Sequence, residues 1–249
     1  MTKILGIIPA RYASTRFPAK PLVDIAGKSM VEWVYTQAKK STALTKVVVA
    51  TDNQKIFDHI IKFGGDACMT SEDHVSGTDR CFEALNAQKE EYDYVINIQG
   101  DEPFIDPIQI NLLASLLDGK TELATLAKRI EKEEQLFNPN VVKIVFNHLQ
   151  EALYFSRSTI PHIRNSEQSQ WLSKHSFYKH IGMYAYRTDI LEKIKKLSVS
   201  PLEKAESLEQ LRWLDNGFRI KVAETDIETI GIDTPQDLNH ALAYLKSKA

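Results

Sequence analysis

The sequence predicts an α/β protein: a mostly parallel sheet flanked by helices, carrying a smaller antiparallel insert. Three observations lead there. The runs Ile4–Ile8, Lys46–Ala50 and Tyr94–Gln99 are apolar without polar alternation, as expected of strands buried on both faces. Stretches with helical spacing separate them, so strand and helix alternate from the first residues onward. From Leu123 on, strand-like runs succeed one another with little helix between, which favours antiparallel pairing.

Taken in order, the first run (Ile4, Leu5, Ile7, Ile8) is expected to stop at Pro9. Arg11, Arg16 and Lys20 follow in a loop with Ser14 and Thr15. Three cations beyond a first buried strand suit a polyanion, because arginine offers a planar fork and lysine a mobile point charge. Open α/β sheets also place ligands at strand carboxyl ends. A solvated basic loop is the alternative reading. Ser29 and Glu32 have capping-box spacing ahead of a helix bearing Met30, Val31, Val34 and Ala38 on one face. The strand at Lys46–Ala50 ends at Thr51-Asp52. Ile56, Phe57, Ile60 and Ile61 mark the next helix, stopped by Gly64-Gly65.

Thr70 to Arg80 (TSEDHVSGTDR) reads as a polar loop centred on Gly77, between a short strand at Ala67–Met69 and a helix at Cys81–Ala87. It suits the base or sugar of a ligand, and equally an ordinary surface loop. Tyr94–Gln99 runs directly into Gly100, Asp101, Glu102 and Pro103. A carboxylate immediately after a central strand, beside a Gly that permits close backbone approach, is a natural seat for a hard divalent cation. Asp106 is better placed to cap the helix at Pro107–Leu117, which frees Asp101.

In the second half, Leu123–Lys128, Val141–Phe146 and Ala152–Phe155 read as strands, with a turn at Asn138-Pro139-Asn140. A polar linker, expected to be mobile, covers Asn165–His175. Tyr178–Arg187 alternates, placing His180, Tyr184 and Tyr186 on one face and Ile181, Met183 and Ala185 on the other. The first face suits a polyhydroxylated ligand, half of a dimer interface or a packed core. Ser200-Pro201 starts a helix with a stripe of Leu202, Ala205, Leu208, Leu211 and Leu214, ended by Asn216-Gly217. Glu206, Glu209 and Arg212 share its other side. Phe218–Ala223 returns to strand. Thr234, Pro235 and Asp237 form a final helix start, and Asp233, just before that cap, is a second carboxylate at a strand end.

Bulk properties narrow the class. At 249 residues and 43% hydrophobic content, the chain suits a single domain over 1–249 with an insert at about 138–187. A net charge of −2 gives no global basicity, so no nucleic-acid partner is expected. No apolar run approaches the ~20 residues that span a bilayer, so no membrane association is expected. The N-terminal pattern lacks a signal-peptide core, and Cys68 and Cys81 are read as reduced thiols, which points to the cytoplasm. Neither a G-x-G-x-x-G nor a G-x-x-x-x-G-K-[ST] follows the first strand, against a dinucleotide-binding Rossmann domain and a P-loop NTPase.

The basic loop, Asp101 and Asp233 together suit phosphoryl or nucleotidyl transfer, in which carboxylates hold Mg²⁺ and the cations neutralise a triphosphate. The segments IIPARYASTRFPAKPL, CMTSEDHVSGTDR, VINIQGDEP, FNPNVVK, LYFSRSTIP, KHIGMYAYR, SPLEKAESLEQLR and GIDTPQDL resemble, in order and over essentially the whole chain, the motifs of the 3-deoxy-manno-octulosonate (KDO) cytidylyltransferase family. The one departure noted is Ala19, where the common family form has Gly. The resemblance implies a Rossmann-like nucleotide-binding sheet and the reaction CTP plus KDO to CMP-KDO plus pyrophosphate, supplying lipopolysaccharide assembly. By motif it implies Arg11, Lys20, Asp101 and Asp233 as catalytic, with Mg²⁺ on Asp101 and Asp233. Pro9, Ala10, Arg11, Lys20, Gly77, Thr78 and Arg80 would bind the nucleotide. Arg16, Gln99, Arg157, His180, Tyr184 and Glu209 would bind the sugar. A homodimer built through the insert is implied as well. The rivals are the same reaction on 8-amino-KDO, a glycosyltransferase, and a non-catalytic binding protein. Glycosyltransferases commonly hold metal with a strand-end Asp-x-Asp, whereas Gly100-Asp101-Glu102-Pro103 stands here. A non-catalytic relative is expected to lose Arg11, Lys20, Asp101 or Asp233, and all four are present.

Overall fold

The computed structural model describes residues 2–13, 17–229, 231–232 and 234–248. Arg16 and Asp233 therefore lie outside the described residues. The chain divides into two compact units, Met1–Ala114 with Thr229–Ala249, and Ser115–Glu228. The 138–187 segment falls entirely within the second.

The first unit contains β1 (Ile4–Ala10), β2 (Asp24–Ile25), β3 (Lys28–Ser29), α1 (Met30–Ala38), β4 (Lys46–Thr51), α2 (Gln54–Lys62), β5 (Ala67–Met69), α3 (Gly77–Asn86), β6 (Tyr94–Asn97) and α4 (Pro107–Ala114). Strands β6, β1, β4 and β5 lie side by side in that order, all parallel. The order reverses at β1. The chain first moves outward through β4 and β5, then returns to lay β6 on the other side of β1. Such a reversal opens a crevice at the strand carboxyl ends. Leu5, Ile7 and Ile8 are fully buried, as are Val95 and Ile96, which is why these strands carry no polar alternation.

Pro9 does not end β1. Pro9 and Ala10 pair with Ala50 and Thr51 of β4, while pairing to β6 stops at Ile7–Asn97. Beyond that point β1 has an open side, where the missing proline N–H costs no ladder bond.

The helix expected from Cys81 begins four residues earlier, at Gly77. Ser76 accepts from the Asp79 N–H at 3.1 Å and donates to the Asp79 carboxylate at 2.9 Å. Gly77, Thr78 and Arg80 thus belong to a helical first turn rather than a loop. Predicted starts form at Ser29, which accepts from Glu32 N–H at 3.2 Å, and at Asp106, which accepts from Ile108 N–H at 2.9 Å.

The second unit holds β7 (Leu123–Arg129), α5 (Glu133–Phe137), β8 (Lys143–Phe146), β9 (Ala152–Ser156), α6 (Trp171–Lys174), β10 (Tyr178–Arg187), α7 (Thr188–Lys195), α8 (Pro201–Glu206), α9 (Gln210–Asp215) and β11 (Ile220–Glu224). Here β10 runs antiparallel to β7 and β8, and β8 antiparallel to β9, with β11 alone parallel to β7. The strand-rich second half is therefore antiparallel in the main, as its sequence suggests.

Two expectations change in this unit. The Asn165–His175 stretch is not a linker: it includes a 3-10 turn and α6, whose Trp171 is 4% exposed in a cluster with Ile130, Leu136 and Phe177. The single helix expected from Pro201 is two helices, broken at Ser207, whose φ is 53°. The break presents the carbonyls of Glu206 and Ser207 to Arg157 and leaves Leu202 exposed.

The chain then returns to the first unit with α10 (Pro235–Lys248). Thr234 and Asp237 form the predicted reciprocal cap, at 2.8 and 3.3 Å. Ile232 and Ala241 pack with Ile25 and Met30. Among the described residues, no helix is long and apolar enough to cross a membrane.

Candidate active site

The crevice at the reversal point is a cavity of about 280 Å³, lined by Pro9, Ala10, Arg11, Lys20, Pro21, His74, Val75, Ser76, Gly77, Arg80, Gln99, Gly100 and Asp101. Most of the predicted nucleotide residues thus converge on one wall system. Thr78 is 3% exposed in the first turn of α3, behind the cavity surface. Gln99, expected at the sugar, lines this same cavity.

Its shape depends on close backbone approach. A Cβ on Gly100 would stand 2.5 Å from the Pro9 carbonyl oxygen, so only glycine lets the ends of β1 and β6 meet there. The first turn of α3 lines the cavity as well, through Ser76, Gly77 and Arg80, and the positive end of a helix dipole favours an anion.

The charges follow the same plan. Lys20 Nζ bonds Asp101 Oδ2 at 2.8 Å, both partly shielded. Arg11 is exposed at the rim. Lys20 opens a 3-10 turn after Ala19, which takes the left-handed conformation at φ 55° and ψ 22°. Ala19 N–H returns to the Tyr12 carbonyl at 3.2 Å, closing the basic loop on itself. Arg80 is 3% exposed; its guanidinium bonds Asp52 at 2.8 Å and also the Thr70 hydroxyl.

Ile232 N–H donates to the Asp101 carbonyl at 2.9 Å, so the chain one residue before Asp233 is tied to the backbone of the other predicted metal ligand. Glu102 was not assigned a role from sequence. Its Oε2 is buried without a partner among the described residues, and burial, then the neighbouring Asp101 charge, pushes its carboxyl up to about 8.

Two further residues escaped the sequence reading. His74 lines the cavity and bonds Glu83, which also accepts from Ser71 N–H at 2.9 Å. Val75 stands 90% exposed at the same wall. Their only signal was membership of the polar 70–80 stretch.

Of the predicted sugar residues of the second unit, His180, Tyr184 and Glu209 come together, while Arg157 is held by a separate set of partners. Arg157 Nε bonds the Glu206 carbonyl at 2.7 Å, and its Nη1 bonds that of Pro139 at 3.2 Å. Its own carbonyl accepts from the fully buried Lys143 ammonium at 2.6 Å. Tyr184 OH is buried without a partner among the described residues. Burial raises that phenol well above its usual range, with the charges of Tyr186 and Glu209 adding to it. His180 lies beside Tyr184 at 5.1 Å between ring centroids and edge-on to Phe155.

The protonation of His180 follows from its neighbour. Thr125 Oγ1 lies 2.8 Å from the Met183 carbonyl, which can only accept, and 2.9 Å from His180 Nε2. The hydroxyl proton goes to the carbonyl, so Nε2 carries the ring proton and Nδ1 is left as an acceptor. Burial holds the imidazole down at about 3, hence neutral at physiological pH. A neutral imidazole and a buried phenol thus lie side by side, with the Glu209 charge within electrostatic reach of the phenol. The guanidinium of Arg157 still has N–H groups beyond those three carbonyl bonds to offer a carboxylate.

A crevice of this kind, with backbone amides and fixed cations at the reversal of a parallel sheet, defines an α/β nucleotide-binding protein. Residues 5–225 match the family model described as Cytidylyltransferase. The chain is 56% identical over 236 residues to the 3-deoxy-manno-octulosonate cytidylyltransferase of Cytophaga hutchinsonii, covering 94% of each. It is 54% identical to that of Parabacteroides distasonis over the full length of both. A CMP:2-keto-3-deoxy-manno-octonic acid synthetase complexed with CTP superposes with a TM-score of 0.92 at 42% identity, covering all of both chains. A 4-diphosphocytidyl-2C-methyl-D-erythritol synthase from Anaerococcus prevotii shares the fold at TM-score 0.64 and 16% identity. The chain belongs to the cytidylyltransferase family, among its 3-deoxy-manno-octulosonate cytidylyltransferases.

Proposed function

We infer that the protein activates KDO: CTP plus 3-deoxy-manno-octulosonate gives CMP-KDO plus pyrophosphate, for lipopolysaccharide assembly in the cytoplasm. The observation that carries the reading is full-length identity of 54% to a named KDO cytidylyltransferase, joined to the Lys20–Asp101 pair in the cavity. The relatives' names favour KDO over its 8-amino form.

The anomeric hydroxyl of KDO attacks the α-phosphorus and pyrophosphate leaves, so no enzyme nucleophile is required. Arg11 and Lys20 bind the triphosphate and offset the charge that grows on the leaving group. Pro9, Ala10, Gly77 and Thr78, with Arg80, enclose the nucleoside. Arg157 takes the KDO carboxylate. His180 Nδ1 accepts from a sugar hydroxyl, and Tyr184, Glu209, Gln99 and Arg16 complete the sugar contacts.

The donor set fits Mg²⁺. Asp101 offers hard carboxylate oxygens at a strand end, only one of them engaged by Lys20, and Glu102 adds a buried, uncompensated oxygen one residue on. Asp101 and Asp233 would hold the ion. When bound, Mg²⁺ neutralises phosphate charge and lowers the pKa of the attacking hydroxyl.

A homodimer through the 138–187 segment is part of the reading, supported by exposed Leu149 and Leu153 on the β8–β9 hairpin. Light scattering reporting a monomer at micromolar concentration would remove it. The functional test is pyrophosphate release. It should require CTP, Mg²⁺ and KDO together and fail with ATP, GTP or UTP. Release without KDO, or none from folded, CTP-binding protein, would overturn the assignment.

A further inference from the structure

We propose that Asp52 is a positioning residue for the nucleotide, the strut that holds the Arg11 loop and Arg80 in register. Asp52 follows the last residue of β4. Its Oδ1 accepts from the Tyr12 N–H at 3.2 Å, and its Oδ2 pairs with Arg80 Nη2 at 2.8 Å. Tyr12 comes directly after Arg11, so the first bond fixes the backbone from which Arg11 projects. The second fixes the plane of the Arg80 guanidinium, which itself lines the cavity.

The strut is rigid for physical reasons. The side chains of Arg80 and Asp52 are 4% and 11% exposed, so solvent screens their attraction little. The Thr70 hydroxyl holds the other Nη of Arg80, and Thr70 N–H bonds the Thr51 carbonyl at 2.8 Å. The chain just past β1, β4 and β5 is thereby tied through one carboxylate. Lys55, in the first turn of α2, lies 5.7 Å over the Tyr12 ring and steadies the loop from outside.

Asp52 also offsets the charge of Arg80. An unpaired buried guanidinium would swing toward the triphosphate and compete with Arg11. A neutralised, fixed one presents directed N–H donors to the nucleoside instead. Asp52, Tyr12, Arg80, Thr70 and Lys55 all belong to the first unit, so the effect is expected on CTP.

The inference rests on the nucleotide site described above and is tested with Asp52→Asn in the full chain. The variant is isosteric and keeps an oxygen for Tyr12 N–H while losing the ion pair. Losing a buried charged hydrogen bond should raise KM for CTP about tenfold, with KM for KDO unmoved and kcat recovered at saturating CTP. Asp52→Ala, which also frees the Tyr12 N–H, should raise it further. Isothermal titration with CTP alone should show the same weakening, and it tests the strut whatever the sugar substrate proves to be. A fall in kcat with KM for CTP unchanged would signify loss of folded enzyme and overturn the proposal, as would unaltered CTP affinity. Wild-type protein that binds CTP but fails to turn over KDO would overturn the sugar assignment and leave the strut to the titration.

Discussion

Ala19 holds a backbone conformation that L-residues avoid, because its Cβ crowds the following carbonyl at a cost of about 1–2 kcal/mol. It does so because the basic loop must turn back for Ala19 N–H to reach the Tyr12 carbonyl and deliver Lys20 to Asp101. Ala19→Gly removes that strain but frees the unfolded chain, so a net gain of about 0.5–1 kcal/mol is expected. A higher urea midpoint with unchanged slope would show it; a lower midpoint would mean that the methyl contributes packing. His180 gives the second prediction at this scale. Its folded-state pKa, about 3, lies below the unfolded value of roughly 6.5. The unfolded chain therefore takes up the proton first as pH falls. The stability due to neutral His180 is whole above roughly pH 6.5 and drains as pH drops toward 3, by up to about 1.4 kcal/mol per pH unit. In His180→Gln this part of the slope should vanish from urea midpoints measured between roughly pH 6.5 and 4. Identical slopes for variant and wild type would contradict the buried, neutral ring.

At the scale of elements, the crevice depends on the chain just past β6 closing on the end of β1, and Gly100 is where it meets Pro9. Gly100→Ala places a methyl 2.5 Å from backbone that cannot rotate away. The strand ends must part, costing about 1–3 kcal/mol and displacing Asp101 from Lys20. CTP affinity should fall by about fivefold or more for a loss of that size, while far-UV circular dichroism stays native. Wild-type CTP affinity would show that the crevice tolerates the separation. Elements of this kind were largely legible in the sequence. Uninterrupted apolar runs marked β1, β4 and β6, and short-range caps marked α1 and α10, because both signals are local. The start of α3 was missed although Ser76 and Asp79 have capping spacing, since glycine at the first helical position reads as a turn. The break at Ser207 was illegible for a different reason. The Leu202–Leu214 stripe is consistent with one helix, and only Arg157, distant in sequence, draws the carbonyls of Glu206 and Ser207 out of it. Of the cavity lining, Pro9, Ala10, Arg11, Lys20, Gly77, Arg80, Gln99 and Asp101 were legible by resemblance. Asp52, His74 and Glu102 were not, because their roles come from partners that only folding supplies.

For the molecule as a whole, a net charge of −2 offers no general attraction to a polyanionic nucleotide. Under the proposed function, binding is local, at Arg11, Lys20 and the amino end of α3, and it couples to stability. A ligand that binds only the folded state at a hundredfold its Kd adds about 2.7 kcal/mol. For a chain of this size that raises Tm by roughly 5–10 °C. CTP with Mg²⁺ should give a shift of that order, and chelation of the metal should reduce it, because the Asp101 carboxylate then faces triphosphate charge unscreened. Asp101→Asn separates the two contributions. A neutral amide no longer repels phosphate but binds Mg²⁺ poorly. The shift with CTP alone should therefore persist or grow, while the increment from Mg²⁺ and most of the turnover disappear. A full Mg²⁺ increment in Asp101→Asn, read by differential scanning calorimetry without any turnover, would take the metal away from Asp101 and require Glu102 or Asp233 to hold it unaided.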